Sequence, residues 1–145
     1  MAKVIGRTGK AIDIQMLGIN EVIRNLQIKG KQIEMGADFG VVRAGGLIEE
    51  EVKESIAGNR VEPKSVTTGQ LANSIIFDKT GKAEGVVKPK KETYPGTSTT
   101  TEDTALFMEY GTSTRPYPRS HFRNTKTRNQ DKVEEIIESE IKKAI

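Results

Sequence analysis

The chain has no cysteine, no tryptophan and a single histidine, His121. Without cysteine there is no disulfide framework and no thiolate-held metal or cluster, and one histidine removes most imidazole-based metal sites. Aromatic residues make up only 5% of the sequence, too few for the stacking platforms that hold single-stranded nucleic acid. No apolar stretch approaches the length needed to span a bilayer, and the N-terminus lacks the apolar segment of a signal peptide. A protein made in the cytosol, with no membrane partner, is expected.

What remains is a chain of 145 residues, 34% hydrophobic and 30% charged. That length supports one domain with one core. The core will be lean, so part of the apolar surface is expected to find cover in an oligomer. A net charge of +3 and an isoelectric point near 9.1 allow contact with nucleic acid without demanding it.

Residues 1–10 are basic and aperiodic and read as a flexible arm. Ala11 to Met16 alternates apolar and polar residues as a half-buried strand does. Asn20 can cap a short helix from Glu21 to Ile28. Lys31 to Ala57 is the longest helical candidate, with Ile33, Ala37, Val41, Ala44, Ile48, Val52 and Ile56 forming one stripe. Gly36, Gly40 and Gly45-Gly46 interrupt it, which implies a kink, close packing against a sheet, or close approach between helices of two subunits. Leu71 to Phe77 ends in a strand, Asp78 to Gly81 has turn chemistry, and Ala83 to Val87 returns as a hairpin partner. Residues 89–103 form a long polar loop whose Thr97 to Thr101 run lacks apolar anchors. Such a loop and the arm are expected to order only against neighbouring subunits. Thr104 to Tyr110 fits a short helix or a last strand, with Asp103 or Thr104 as cap. After Pro116 and Pro118 a helix runs to the end on Phe122, Val133, Ile136, Ile137, Ile141 and Ala144. Its polar stretch, Thr125 to Asp131, is expected to be solvated or to touch a partner. The order gives an α+β domain over 11–145: a small antiparallel β-sheet packed against a long central helix and a long C-terminal helix.

Chemistry is sparse. A phosphate loop needs a glycine five residues before its second glycine and Ser or Thr after the lysine. Gly9-Lys10 offers Val4 and Ala11, and Gly81-Lys82 offers Ile76 and Ala83, so neither fits. Glu109 as base and His121 as acid, beside Arg119 and Arg123, would suit RNA cleavage, but a lone histidine opening a helix beside a basic cluster is the more ordinary arrangement. No catalytic residue, cofactor or metal site is assigned. Lys79, Lys82, Lys88, Lys90 and Lys91, with Arg123, form a candidate basic patch. Residues 92–114 carry Glu92, Glu102, Asp103 and Glu109 with no cation, and Arg115 to Arg128 is basic again. Alternating blocks suit head-to-tail contacts between copies, ordinary solubility, or DNA contact.

Three segments carry a resemblance. They are Thr68-Gly69-Gln-Leu-Ala-Asn-Ser-Ile75, Ala105-Leu-Phe-Met-Glu-Tyr-Gly-Thr112, and Pro118 with Phe122 before the last helix. In order and spacing these resemble the head–tail connector (neck, tail-completion, minor tail-component) proteins of long-tailed bacteriophages. Arg119-Ser-His121 and the Thr-rich loop depart from that pattern. The resemblance implies a non-enzymatic virion subunit, made in the host cytoplasm and assembled as a sixfold ring. That ring would join the head-closure complex to the tail tube, touching neighbouring neck and tail-tube proteins and, non-specifically, DNA in the channel. Glu109, Tyr110, Gly111, Thr112, Arg115 and Arg119 are the candidate subunit-interface residues. The alternative is a small basic nucleic-acid-binding module.

Overall fold

The apolar stripe of the longest segment settles the architecture. In a computed structural model, which describes residues 3–5, 14–17, 30–65, 69–114 and 117–145 (the first two stretches as strand backbone), Lys31–Ile56 is one continuous helix, α1. Every member of the stripe from Ile33 to Ile56 is buried. Gly58, at φ +87°, stops the helix, and the Asn59 N–H donates back to the Glu54 carbonyl at 2.9 Å. The expected helix over Glu21 to Ile28 lies outside the described residues.

Two layers pack on α1. One is a four-stranded antiparallel sheet in the order β1 (Lys3–Ile5), β2 (Ile14–Leu17), β4 (Glu84–Pro89), β3 (Ile75–Gly81). The other is the C-terminal helix, α4 (His121–Ala144). Two shorter helices, α2 (Gln70–Ser74) and α3 (Thr101–Tyr110), complete an α+β fold. Strand β1 stands inside the segment expected to be a flexible arm; its Val4-Ile5 pair is β-branched, and Val4 sits opposite Met16 of β2.

The glycines of α1 mark its two packing faces. A Cβ on Gly36 would lie 2.8 Å from the Glu140 carbonyl oxygen and from Ile141 Cα, and one on Gly40 would lie 2.8 Å from Ile137 Cα. These are backbone atoms of α4, so the two helices meet backbone to backbone. A Cβ on Gly45 would fall 2.2 Å from the Phe77 ring, which also fills the space over Gly85 of β4. Both close packing on the sheet and close helix approach therefore occur, the latter within one chain.

Four expectations are corrected. The hairpin turn is Lys82-Ala83 rather than Asp78 to Gly81, which continue β3. Ala83 accepts φ +51° because its side chain is buried and its N–H bonds Asp38 Oδ1 at 3.0 Å. The Thr-rich loop folds on its own chain. Pro95-Gly96 makes a turn closed by the Thr97 N–H on the Tyr94 carbonyl, with Gly96 at φ +74°. Thr101 Oγ1 ties the loop's two ends together by donating to the Lys90 carbonyl and accepting the Glu92 N–H. Thr100, not Asp103 or Thr104, caps α3, in a reciprocal pair with Asp103. Finally, the polar stretch of α4 is not solvated throughout: Thr125 and Asn129 continue the buried stripe.

Candidate functional site

The segment Ala105 to Thr112 divides into an inner anchor and an outer face. Ala105 and Glu109 share the buried side of α3, four residues apart. Glu109 is 1% exposed, and its carboxylate accepts the backbone N–H groups of Phe122 at 2.9 Å and Arg123 at 3.0 Å. Those are unpartnered amides of the first turn of α4, whose preceding Ser120 makes no capping bond. Glu109 is thus the N-terminal cap of a helix remote in sequence, where a negative charge also meets the favourable end of the helix dipole. The Arg123 guanidinium closes the arrangement, donating to Glu109 Oε2 at 2.9 Å and lying 4.4 Å over the Tyr110 ring. Gly111, at φ +77°, then frees the backbone to leave α3.

This geometry removes Glu109 from the candidate surface contacts, because it is turned inward. Glu109→Ala is expected to cost about 2–3 kcal/mol, since two helix-end amides and Arg123 lose their acceptor together. Glu109→Gln, which keeps one carbonyl acceptor, should cost less. Urea denaturation reads both, and an alanine variant within about 0.5 kcal/mol of wild type would rule the cap out.

The other face of α3 is open. Leu106, Phe107 and Tyr110 are exposed, and Tyr117 projects from the following segment. Phe107, Met108, Thr112, Tyr117 and Arg119 line a groove of about 330 Å³. Arg119 is fixed on its wall, donating to the Lys64 carbonyl at 3.0 Å, while its N–H bonds the Met108 carbonyl at 2.6 Å. Thr112 and Thr114 join their hydroxyls at 3.2 Å. The structure therefore brings Thr112 and Arg119 together in this groove, while Tyr110 stacks against Arg123 and Gly111 ends α3 next to it. Arg115 lies outside the described residues.

Beside that site is a polar network in which His121 meets partners that no sequence pattern links to it. Glu62, in the loop after α1, is 5% exposed and takes a two-pronged pair from Arg128, at 3.0 and 3.1 Å. It also accepts from Ser55 Oγ at 2.5 Å and from Asn124. Burial pushes the Glu62 carboxyl up, but the bonds from Arg128, Ser55 and Asn124 outweigh it and hold its pKa down to about 2. Ser55 Oγ lies 2.7 Å from His121 Nδ1, and Ser65 Oγ bonds His121 Nε2. Because the Ser55 proton goes to Glu62, Nδ1 must be the donor and Nε2 the acceptor of the Ser65 hydroxyl.

That proton order matches a nucleophile–base relay, but the environment works against one. Burial lowers the His121 pKa to about 4; Glu62 pulls it up and Arg119 down. So weak a base draws little proton from a serine at neutral pH, and Arg128 already takes up the charge of Glu62. Glu109 and His121 are both buried, the first taken up by two helix-end amides and Arg123 and the second held between Ser55 and Ser65, so they do not face a common substrate space as the ribonuclease pairing requires. The network instead clamps the loop after α1 to the start of α4. No cluster among the described residues could hold a metal ion, and no described helix is long and apolar enough to cross a membrane.

The candidate basic patch is largely neutralised. Lys79 pairs with Asp38 at 2.7 Å, Lys82 with Glu34 at 3.4 Å and Lys88 with Asp78 at 3.6 Å. The Lys79 hydrogen bond, then the Ala83 N–H, holds the Asp38 carboxyl below its usual range. Lys90 and Lys91 line a shallow cleft beside Lys88 that also holds Asp78 and Glu102. Arg123 and Arg128 are committed to Glu109 and Glu62. Such pairing lowers the positive field that this patch itself offers to phosphates. Comparison with protein-family models, with curated proteins and with solved structures finds no match to this chain.

Proposed function

We propose that this chain is a non-enzymatic structural subunit of a bacteriophage neck or tail end, assembling as a ring that joins the head-closure complex to the tail tube. One observation carries the reading: the segment that resembles the connector motif is anchored from inside by Glu109 and presents an apolar groove outside. Phe107 and Tyr117 beside a fixed arginine, with Leu106 and Tyr110 also exposed on α3, have the composition of an interface core rather than of a solvated helix face. Buried polar groups that tie α3 and α4 together keep this face rigid, which lowers the ordering cost of association.

The test is made on particles. The protein should be present in purified virions or tails, and images of the neck should show it as a closed ring. Phe107→Glu should lower the yield of joined particles at least about tenfold, as loss of an aromatic interface anchor does, while the far-ultraviolet spectrum of the free chain is unchanged. Absence from purified virions and tails would end the proposal.

A further inference from the structure

The side of α1 turned away from the core carries an apolar ridge with a gap at one end. Met35, Phe39 and Val42 are 56%, 58% and 43% exposed, and they fall with Gly46 on one line of the helix. A Cβ on Gly46 would meet nothing within 4 Å. Among the described residues this glycine, unlike Gly36, Gly40 and Gly45, accommodates no neighbour.

We infer that two copies of the free chain pair through this ridge, α1 against α1, antiparallel about a two-fold axis. In such a pair, residues whose numbers share one sum lie at the same height. Met35 with Gly46 and Phe39 with Val42 share a sum, so a single register seats each Met35 in the Gly46 gap of the other copy. The same register sets each Phe39 against the other copy's Val42. A patch that complements itself in this way is the mark of an isologous contact. The flanks agree: Lys31 comes level with Glu49 and Glu50 of the other copy. Arg43, half exposed while paired with Glu140, comes beside the other copy's Phe39 ring. No like charges are set level. The register spans Lys31 to Glu50, about 30 Å of helix. Three exposed apolar side chains are fewer than a typical stable interface of about 800 Å² per partner supplies, so the pair dissociates on dilution. The contact uses neither the groove beside α3 nor the neck reading, and either can fail alone.

Sedimentation of the purified chain over a concentration series should show a monomer–dimer equilibrium. Phe39→Glu should weaken association at least about tenfold. Gly46→Leu should weaken it similarly while raising the melting temperature of the monomer, because leucine favours a helix interior and finds open space there. Since the chain lacks cysteine, a mixture of Phe39→Cys and Val42→Cys chains should oxidise to a mixed disulfide dimer, in preference to either like pair. A chain monomeric at all concentrations overturns the inference. So does a dimer indifferent to Phe39→Glu and Gly46→Leu, or a cross-linked ladder beyond the dimer. A monomer that Phe39→Glu destabilises would mean that the ridge is covered by its own chain, and overturns it equally.

Discussion

Gly40→Leu is expected to destabilise the fold by about 3 kcal/mol or more, enough to leave much of a marginal domain unfolded. At Gly40 a Cβ alone would stand 2.8 Å from Ile137 Cα, and at Gly36 one would stand 2.8 Å from backbone atoms of α4. A flexible side chain could swing aside, but a helix backbone cannot, so α1 and α4 must separate along a seam lined by Ile33, Ile137 and Ile141. Gly40→Ala sets the same clash against the roughly 1 kcal/mol that alanine gains over glycine in a helix, and should still lose stability. Gly46→Ala is the control: in the same helix, with nothing within 4 Å, it should gain about 1 kcal/mol. Urea denaturation of the three variants measures the contrast. Equal effects at positions 40 and 46 would mean that the two helices do not meet backbone to backbone.

Sequence periodicity carried the main frame because the forces that set it are local and regular. The α1 stripe repeats at helical spacing, and the structure buries each of its members. The four glycines could be flagged, but only the fold assigns two of them to α4, one to Phe77 and one to solvent. Asp78 to Gly81 has turn composition yet continues β3, and the turn falls at Lys82-Ala83 because Asp38, far away in sequence, holds Ala83 in a left-handed conformation. In the 97–101 loop, threonine hydroxyls and a Pro-Gly turn supply local hydrogen bonds that an accounting of apolar anchors omits. Glu109 was singled out, but its role as a cap depends on α4 arriving at a site 13 residues later. The network of Ser55, Glu62, Ser65 and His121 had no spacing signal at all, because its members come from α1, a loop and α4. Nothing in Val61-Glu62-Pro63 separates a buried acid from a solvated one.

Acidification should weaken the fold in two steps, each assignable to this network. His121 is 2% exposed and takes its proton only near pH 4, against an ordinary value of 6.5. Between those values the unfolded chain binds the proton and the native chain does not. The His121 contribution is therefore fully present above about pH 6.5 and is lost as pH falls toward 4, a step of about 3 kcal/mol. Glu62 follows below it. Its folded pKa of about 2 lies under the ordinary 4.5, so its contribution is whole above about pH 4.5 and drains away toward pH 2, by a similar amount. The two steps interact, because Glu62 is the charge that favours the His121 imidazolium while Arg119 opposes it. Urea denaturation from about pH 7.5 to about pH 3 should show stability declining from near pH 6.5 rather than from the carboxylate range alone. His121→Gln should flatten the upper step, at some cost in stability at neutral pH, and leave the lower one in place. A wild-type profile already flat between pH 4 and 6.5 would mean that His121 is not held neutral between Ser55 and Ser65, and the clamp joining the loop after α1 to α4 would have to be redrawn.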